Sequence, residues 1–204
     1  MNYIRKIATI NINAIAVQAK KMLLKEFIVK NDIDVALLQE VQFEDFSFVP
    51  SHEAFVNIGD TNKGTAILIR KSLEGSELLM DPGGRVMSVV VDGINFVNVY
   101  GHSGSQYRVE RDELFSDTMA VHFNKRGSAS YILAGDFNCV LDEKDCKGKM
   151  YNFSSGLKTA VDLLELRDVA VALKGCKPEF TFYRADSASR LDRMYVSKSF
   201  FWKY

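Results

Sequence analysis

The chain carries no charge excess of either sign: 26 lysines and arginines balance 26 aspartates and glutamates over 204 residues. No global positive field advertises a nucleic-acid partner, so any polyanion contact must come from local patches. Cysteine is scarce and odd in number. Cys139, Cys146 and Cys176 lack paired metal spacing, which points to reduced thiols in an intracellular compartment. Apolar runs are short, and none approaches the length of a membrane span. The N-terminal run follows Arg5 and Lys6 and is broken by Asn11 and Asn13, which argues against a secretory signal. Repeats and low-complexity tracts are missing. What remains is 47% hydrophobic content, enough for one globular domain over 1–204 with a sizeable core.

The organising stretch is Ser130-Tyr-Ile-Leu-Ala-Gly-Asp-Phe-Asn138. Its apolar run reads as a short buried strand that ends at Gly135, where the backbone can turn. Asp136 and Asn138 follow, a carboxylate and a carboxamide able to hold a water and a phosphate oxygen side by side. Taken alone they could equally shape a polar turn. Other strands end the same way. Ile4 to Asn11 is a strand finishing at Asn13, Val35 to Leu38 is one finishing in Gln39-Glu40, and Ile94 to Tyr100 delivers Tyr100 to its exit.

Around these, Ala14 to Lys30 is an amphipathic helix with Val17, Leu24 and Ile28 on one face, Leu23 and Phe27 beside them, and solvated lysines opposite. Residues 43–63 are loop-rich, with a strand near Phe55-Val56. Gly64 to Arg70 is a strand, and Val86 to Val91 pairs with Ile94 to Tyr100 across Asp92-Gly93. Tyr107 to Phe123 is a long helix with acidic residues early. Leu141 to Tyr151 is a charged loop, and Leu157 to Leu164 a short helix. Thr181 to Tyr183 and Arg190 to Val196 form a hairpin across Ala185-Asp186-Ser187, with Asp192 at a polar end. Strands interleaved with helices and hairpins argue a mixed α/β sandwich.

Collected, the strand exits offer Asn11, Asn13, Glu40, Tyr100, Asp136 and Asn138, with Asp192 on the final strand. These are oxygen donors without the cysteine or histidine sets that zinc takes. One or two carboxylates among hard oxygen donors suit Mg²⁺ (or Mn²⁺), which keeps several waters and shares its shell with substrate phosphate. Such an ion beside a positioned carboxylate supports hydrolysis of a phosphate ester.

The ordered set Thr-Ile-Asn-Ile-Asn13, Leu-Leu-Gln-Glu40, Val-Tyr100, Gly-Asp-Phe-Asn138 and Arg-Leu-Asp192 resembles the endonuclease/exonuclease/phosphatase superfamily, a four-layer α/β sandwich of two mixed sheets. Ser103–Arg111, Gly135–Asp142 and Ser187–Ser197 look like the endonuclease domain of non-LTR (LINE-type) retrotransposons, which nicks DNA to prime reverse transcription. The resemblance implies Glu40 as principal metal ligand, with Asn11 and Asn13 supporting metal and phosphate. It implies Tyr100 on the scissile phosphate, Asp136 on the water, Asn138 on a phosphate oxygen, and Asp192 orienting a catalytic histidine. Arg108 and His102 are secondary substrate-binding candidates. A monomer acting on DNA follows, nuclear at its site of action, with the parent element's reverse transcriptase as partner in a full-length protein.

Each residue has a plainer alternative: Glu40 a solvated strand end, Tyr100 a half-buried aromatic, Asp192 a salt bridge to Arg190 or Arg193, His102 a solvent-facing loop residue. Relatives continue past the last strand with a Ser-Asp-His motif and a further strand, and carry Ala-Pro where this chain has Gly101-His102. The expectation is therefore a domain incomplete at its C-terminus, with impaired nicking. The alternative functions are a cellular abasic-site endonuclease or phosphoesterase of the same superfamily, and a non-catalytic nucleic-acid-binding remnant.

Overall fold

The computed structural model describes residues 4–14, 18–124, 130–148, 152–173 and 179–201. In chain order the first half contributes β1 (Ile7–Asn11), α1 (Gln18–Lys30), β2 (Val35–Val41), β3 (His52–Ile58), β4 (Gly64–Arg70), β5 (Gly75–Met80), β6 (Val86–Val91) and β7 (Ile94–Tyr100). A helical rod follows, formed by α2 (Arg108–Glu113), a π-helical turn (Leu114–Thr118) and α3 (Met119–Asn124). Then come β8 (Ser130–Asp136), β9 (Cys146–Lys147), α4 (Ser155–Leu163), β10 (Leu166–Asp168) and α5 (Val169–Ala172). The described chain closes with β11 (Phe182–Arg184), β12 (Ser187–Ser189), β13 (Asp192–Ser197) and α6 (Lys198–Phe201).

Two mixed sheets face each other, in the orders β1-β2-β4-β3 and β10-β13-β8-β7-β6-β5, and a small third sheet runs β11-β12-β9. The strands β2, β4, β6, β7 and β8 are buried on two sides, which is why they read as near-continuous apolar runs. Val35, Leu37, Ile67 and Ile69 of the first sheet meet Met87, Val89, Phe96, Ile132 and Ala134 of the second. The alternate positions Ala36, Leu38, Ala66 and Leu68 pack outward with Leu24 and Ile28 of α1. On the far side, Val97, Val99 and Leu133 pack against Leu114, Phe115, Met119 and Leu157. The result is four layers, the α/β sandwich expected. No described helix is long and apolar enough to cross a membrane.

A buried polar link crosses the middle of the apolar interface. Asn98, fully buried between Phe96 and Tyr100 on the inner face of β7, donates to Leu38 O and Ala66 O at 2.9 Å each. Gln39, also fully buried, donates from Nε2 to Asn98 Oδ1 at 2.7 Å and to Thr9 Oγ1 at 3.1 Å.

Several local expectations need correcting. β12, rather than the 190–196 strand, is the hairpin partner of β11; β13 instead pairs with β8 and β10. Two edge strands are faint in the sequence: β3 is longer than Phe55-Val56, and β5 gives no signal, because its residues are mostly exposed and carry no alternation. Part of the charged loop pairs as β9. In α1, Leu23 and Phe27 face solvent, and Lys21 is not simply solvated, since its Nζ sits 4.4 Å from the Phe43 ring. Val17 and Cys176 lie outside the described residues; Cys139 and Cys146 are free thiols.

Asn98→Ala should lower unfolding free energy by roughly 2–4 kcal/mol, because it takes a buried donor from both Leu38 O and Ala66 O and the shortest of its contacts from Gln39 Nε2, which keeps Leu37 O and Thr9 Oγ1. Chemical denaturation checks this, and a loss within about 0.5 kcal/mol would make the link dispensable.

Candidate active site

The C-terminal ends of β1, β2, β7 and β8 come together where the two sheets meet, and there the backbone is unusual. β2 carries a bulge between Gln39 and Val41, so Glu40 is the extra residue, with φ +57°. Leu38 and Val41 both face the α1 layer, and the bulge frees Glu40 from the strand's alternation. Asn13, Ala14 and Asn138 also have positive φ, at 46°, 49° and 50°. Seven further described non-glycine residues have positive φ elsewhere, so the conformation marks how sharply the chain turns at these exits, and it is least ordinary at Glu40 and Ala14, since asparagine adopts it readily. Gly135 is required by contact: a Cβ there would lie 1.9 Å from Val99 O. Gly101 is similarly crowded, since a Cβ there would lie 2.3 Å from Phe137 O, so alanine does not fit this backbone unaltered.

Asn11 joins the two sheets. Its Nδ2 donates to Glu40 Oε1 at 3.1 Å and to Asp136 Oδ2 at 2.9 Å, while its Oδ1 accepts from Asn13 N at 2.9 Å. Asn138 donates from its backbone N to Asp136 Oδ1 at 2.9 Å, and from Nδ2 to Asp136 Oδ2 at 3.2 Å and Gly101 O at 3.0 Å. Cross-strand register sets Asp136 between Tyr100 on β7 and Asp192 on β13. On β13, Met194 and Val196 pack on the inner face and alternation puts Asp192 on that face with them, whereas Arg190, outside the strand, pairs with Asp145 and Asp168.

The electrostatics follow from burial. Asp136 is 5% exposed, and desolvation, then the neighbouring Asp192 and Glu40, pushes its carboxyl up to about 7 despite its N–H donors. Asp192 is also raised, chiefly by burial. The Tyr100 phenol is pushed up to about 12 by burial and by Glu40, partly offset by Arg85, whose guanidinium lies 4.6 Å from the ring centroid. It therefore stays a proton donor at neutral pH. Burial and Arg85 lower His102.

Of the residues named from sequence, Asn11, Glu40, Asp136 and Asn138 form one hydrogen-bonded set, with Tyr100 and Asp192 beside Asp136 in register. Asn13 contributes its backbone N–H but its side chain is exposed. Arg108 is exposed at the start of α2, outside that set among the described residues. His102 follows Tyr100 by two residues, half-buried, with its carbonyl held by Arg111 Nη1 at 2.9 Å. Asp192 is not the salt-bridge partner of either neighbouring arginine; Arg190 pairs with Asp145 and Asp168, and Arg193 with Asp145. Sequence reasoning missed Asn98 and Arg85. An asparagine inside an otherwise apolar strand was the available signal for the first.

Among the described residues no three histidine, cysteine or carboxylate groups are gathered closely enough to cage a metal. A hard cation that keeps its waters needs only one or two carboxylates. Glu40, half-buried at the strand exit and beside the Asn11 carboxamide, meets that requirement, and the acidic neighbourhood that raises Asp136 favours a cation.

Comparison with known proteins identifies the family and the fold. The profile of the Endonuclease/Exonuclease/phosphatase family matches residues 8–202. No curated protein matches the chain. Among solved structures, an AP endonuclease from Archaeoglobus fulgidus has TM-score 0.73 and 18% identity over 95% of this chain and 86% of that one. A 3'-5' exonuclease (NExo) from Neisseria meningitidis has TM-score 0.70 and 22% identity over 96% and 88%. Truncated Caenorhabditis elegans TDP2 has TM-score 0.65 and 16% identity over 94% and 83%. At these identities the likeness is one of fold.

Because the folded Asp136 carboxyl sits above its unfolded value, its protonated form contributes stability that is complete below about pH 4 and lost as pH rises through about 7. His52 and His102, both lowered by burial, act oppositely in the acidic part of that window, so the informative quantity is a difference between variants. In metal-free buffer the melting temperature of Asp136→Asn minus that of wild type should rise by about 4 °C or more from pH 5 to pH 8. A gap independent of pH would mean that Asp136 is ionised throughout.

Proposed function

The chain belongs to the endonuclease/exonuclease/phosphatase family, whose members are nucleases and phosphodiesterases, and from that premise we propose that it is a divalent-metal-dependent endonuclease that nicks DNA, of the non-LTR retrotransposon type. The observation that carries the reading is the Asn11 bridge, which places the Glu40 and Asp136 carboxylates side by side at the meeting of the two sheets.

Glu40, supported by Asn11 and the Asn13 turn, would hold Mg²⁺ or Mn²⁺, which supplies charge neutralisation at a phosphate oxygen. Asp136, returned towards its carboxylate form by the nearby positive charge, would then take or orient the proton of the attacking water. The protonated Tyr100 phenol would donate to a phosphate oxygen, and the Asn138 carboxamide would do so by exchanging its longer contact, to Asp136 Oδ2, for the phosphate. The retrotransposon branch is supported by the Ser103–Arg111, Gly135–Asp142 and Ser187–Ser197 stretches of the sequence.

A DNA partner is supported by the hairpin beside Asp192. Thr181 Oγ1 accepts the N–H groups of Leu191 and Asp192 at 3.0 Å each, so the hairpin base is tied to the site. Beyond it Phe182 is 49% and Tyr183 70% exposed, with Arg184 also exposed. Exposed aromatics stack on bases and arginine meets phosphates, and local patches of this sort are what a chain without net charge requires.

Supercoiled plasmid with Mg²⁺, compared with EDTA, an abasic-site oligonucleotide and a soluble phosphomonoester, tests the reading. Metal-dependent nicking of the plasmid supports it; cleavage confined to the abasic oligonucleotide or the monoester moves the chain to another branch, and DNA binding without cleavage makes it a non-catalytic remnant. Glu40→Gln should weaken Mn²⁺ binding about tenfold or more by calorimetry without changing the melting temperature by more than a few degrees. Asp136→Ala should abolish nicking with DNA affinity retained, since affinity rests on phosphate contacts elsewhere. Tyr183→Ala should instead weaken DNA binding about tenfold. Unchanged affinity in that variant would remove the hairpin from the interface.

A further inference from the structure

We propose that Asp145 and Arg193 are positioning residues for this site, clamping the exit of β8 to the start of β13; the proposal rests on the functional reading above. Asp145 belongs to the loop that the sequence presents as charged and solvated, yet it is 6% exposed. Its Oδ1 accepts from Arg190 Nε at 2.9 Å, and its Oδ2 accepts from Arg193 Nη2 at 2.8 Å and Leu141 N at 2.9 Å. Its carbonyl accepts Arg190 N at 2.7 Å. The Arg193 side chain is fully buried and forks, with Nη1 donating to Cys139 O at 2.9 Å.

The connected groups bracket the site on both sides. Cys139 follows Asn138, and Asp192 lies between Leu191 and Arg193. Phe137 N donates to Leu191 O at 2.9 Å, so the two segments already run together where Asp136 and Asp192 are in register. Past that point the β8 exit turns away through Asn138, at φ +50°. A strained turn relaxes unless something beyond it holds the chain. Backbone bonds between Val140 and the 152–154 segment hold the chain farther on, and the guanidinium fork on Cys139 O, which Asp145 fixes, is the side-chain hold next to the turn. Stability alone is a weak reason for the arrangement, since desolvating a carboxylate and a guanidinium offsets most of their attraction. What the pair supplies is direction, because a planar fork bonded to two different elements fixes their separation.

The network also suggests variants that leave no buried charge unpaired. Arg190 retains Asp168, at 2.6 Å, when Asp145 is neutralised, which leaves Arg193 as the cation needing compensation. Arg193→Lys keeps the charge but not the fork, and Asp145→Asn with Arg193→Gln removes both charges together. Positioning predicts that either variant melts close to wild type, that kcat for plasmid nicking falls about tenfold or more, and that KM stays within about threefold. Amide exchange reads the clamp without activity: the Asn138 N–H, bonded to Asp136 Oδ1, should exchange about tenfold faster in both variants while Leu133 on the same strand keeps its rate. Wild-type kcat together with wild-type Asn138 exchange in folded Arg193→Lys would overturn the proposal. If the double variant does not fold, Arg193→Lys alone decides it by the same two readings. If the wild-type chain nicks nothing, the functional reading fails, and the exchange measurement still judges the clamp.

Discussion

The arrangement depends on keeping two sheets in one register while their inner faces are greasy. Apolar contact is non-directional, and Val, Leu and Ile side chains tolerate sliding by a fraction of a residue. Asn98 and Gln39 do not. The Asn98 carboxamide reaches two carbonyls of the opposite sheet, and Gln39 closes the link back to it. Unmaking those bonds inside a dry interface leaves several polar groups unpaired at once, so the sheets have one acceptable alignment. That alignment is what carries Asn11, on the first sheet, within hydrogen-bond reach of Asp136, on the second.

With the sheets registered, strand geometry does the rest. Regular alternation would send Glu40 to the α1 side, where Leu38 and Val41 pack. The bulge breaks the alternation at one residue, at the cost of a positive φ. β8 ends with a comparable device: a glycine pressed against Val99 O, then Asp136, then Asn138 in the left-handed region. Strain at the two exits and the inter-sheet link are thus parts of one solution. The link fixes where the exits meet, and the strained residues determine which side chains meet there.

Much of this was legible in the sequence because the strands are buried on both faces. Val35–Leu38, Gly64–Arg70 and Ile94–Tyr100 announce themselves as apolar runs, and the polar residues closing them stand out by contrast. The edge strands β3 and β5 have no such contrast, since a half-exposed strand can carry Glu, Ser or Asn without penalty. The β11–β12 pairing is hidden for a related reason. Thr181–Tyr183 can pair with either following segment on local pattern, and β13 is instead taken by β8, some sixty residues earlier in the chain. The motif residues stand out as types at strand exits; their union into one set was not legible, because the Asn11–Asp136 bond spans 125 residues. The burial of Asp145 was hidden by its neighbours, since a segment rich in lysine and acid reads as solvated until Arg190 and Arg193 are seen beneath it.

Burial treats the two groups of carboxylates in opposite ways. Asp145 is buried against two guanidiniums, and they hold its carboxyl below the usual range in spite of desolvation. Asp136 is buried against Asp192 and Glu40, with only N–H dipoles to meet it, and is raised. The same fold therefore neutralises charge where geometry has to be fixed and leaves it uncompensated where the strand exits open. Uncompensated negative charge costs stability unless a cation or a proton arrives. A divalent ion at Glu40 would relieve the repulsion and return Asp136 towards its ionised form, which is the form that can take a proton from water. The penalty at the exits and the proposed capacity for hydrolysis would then share one cause.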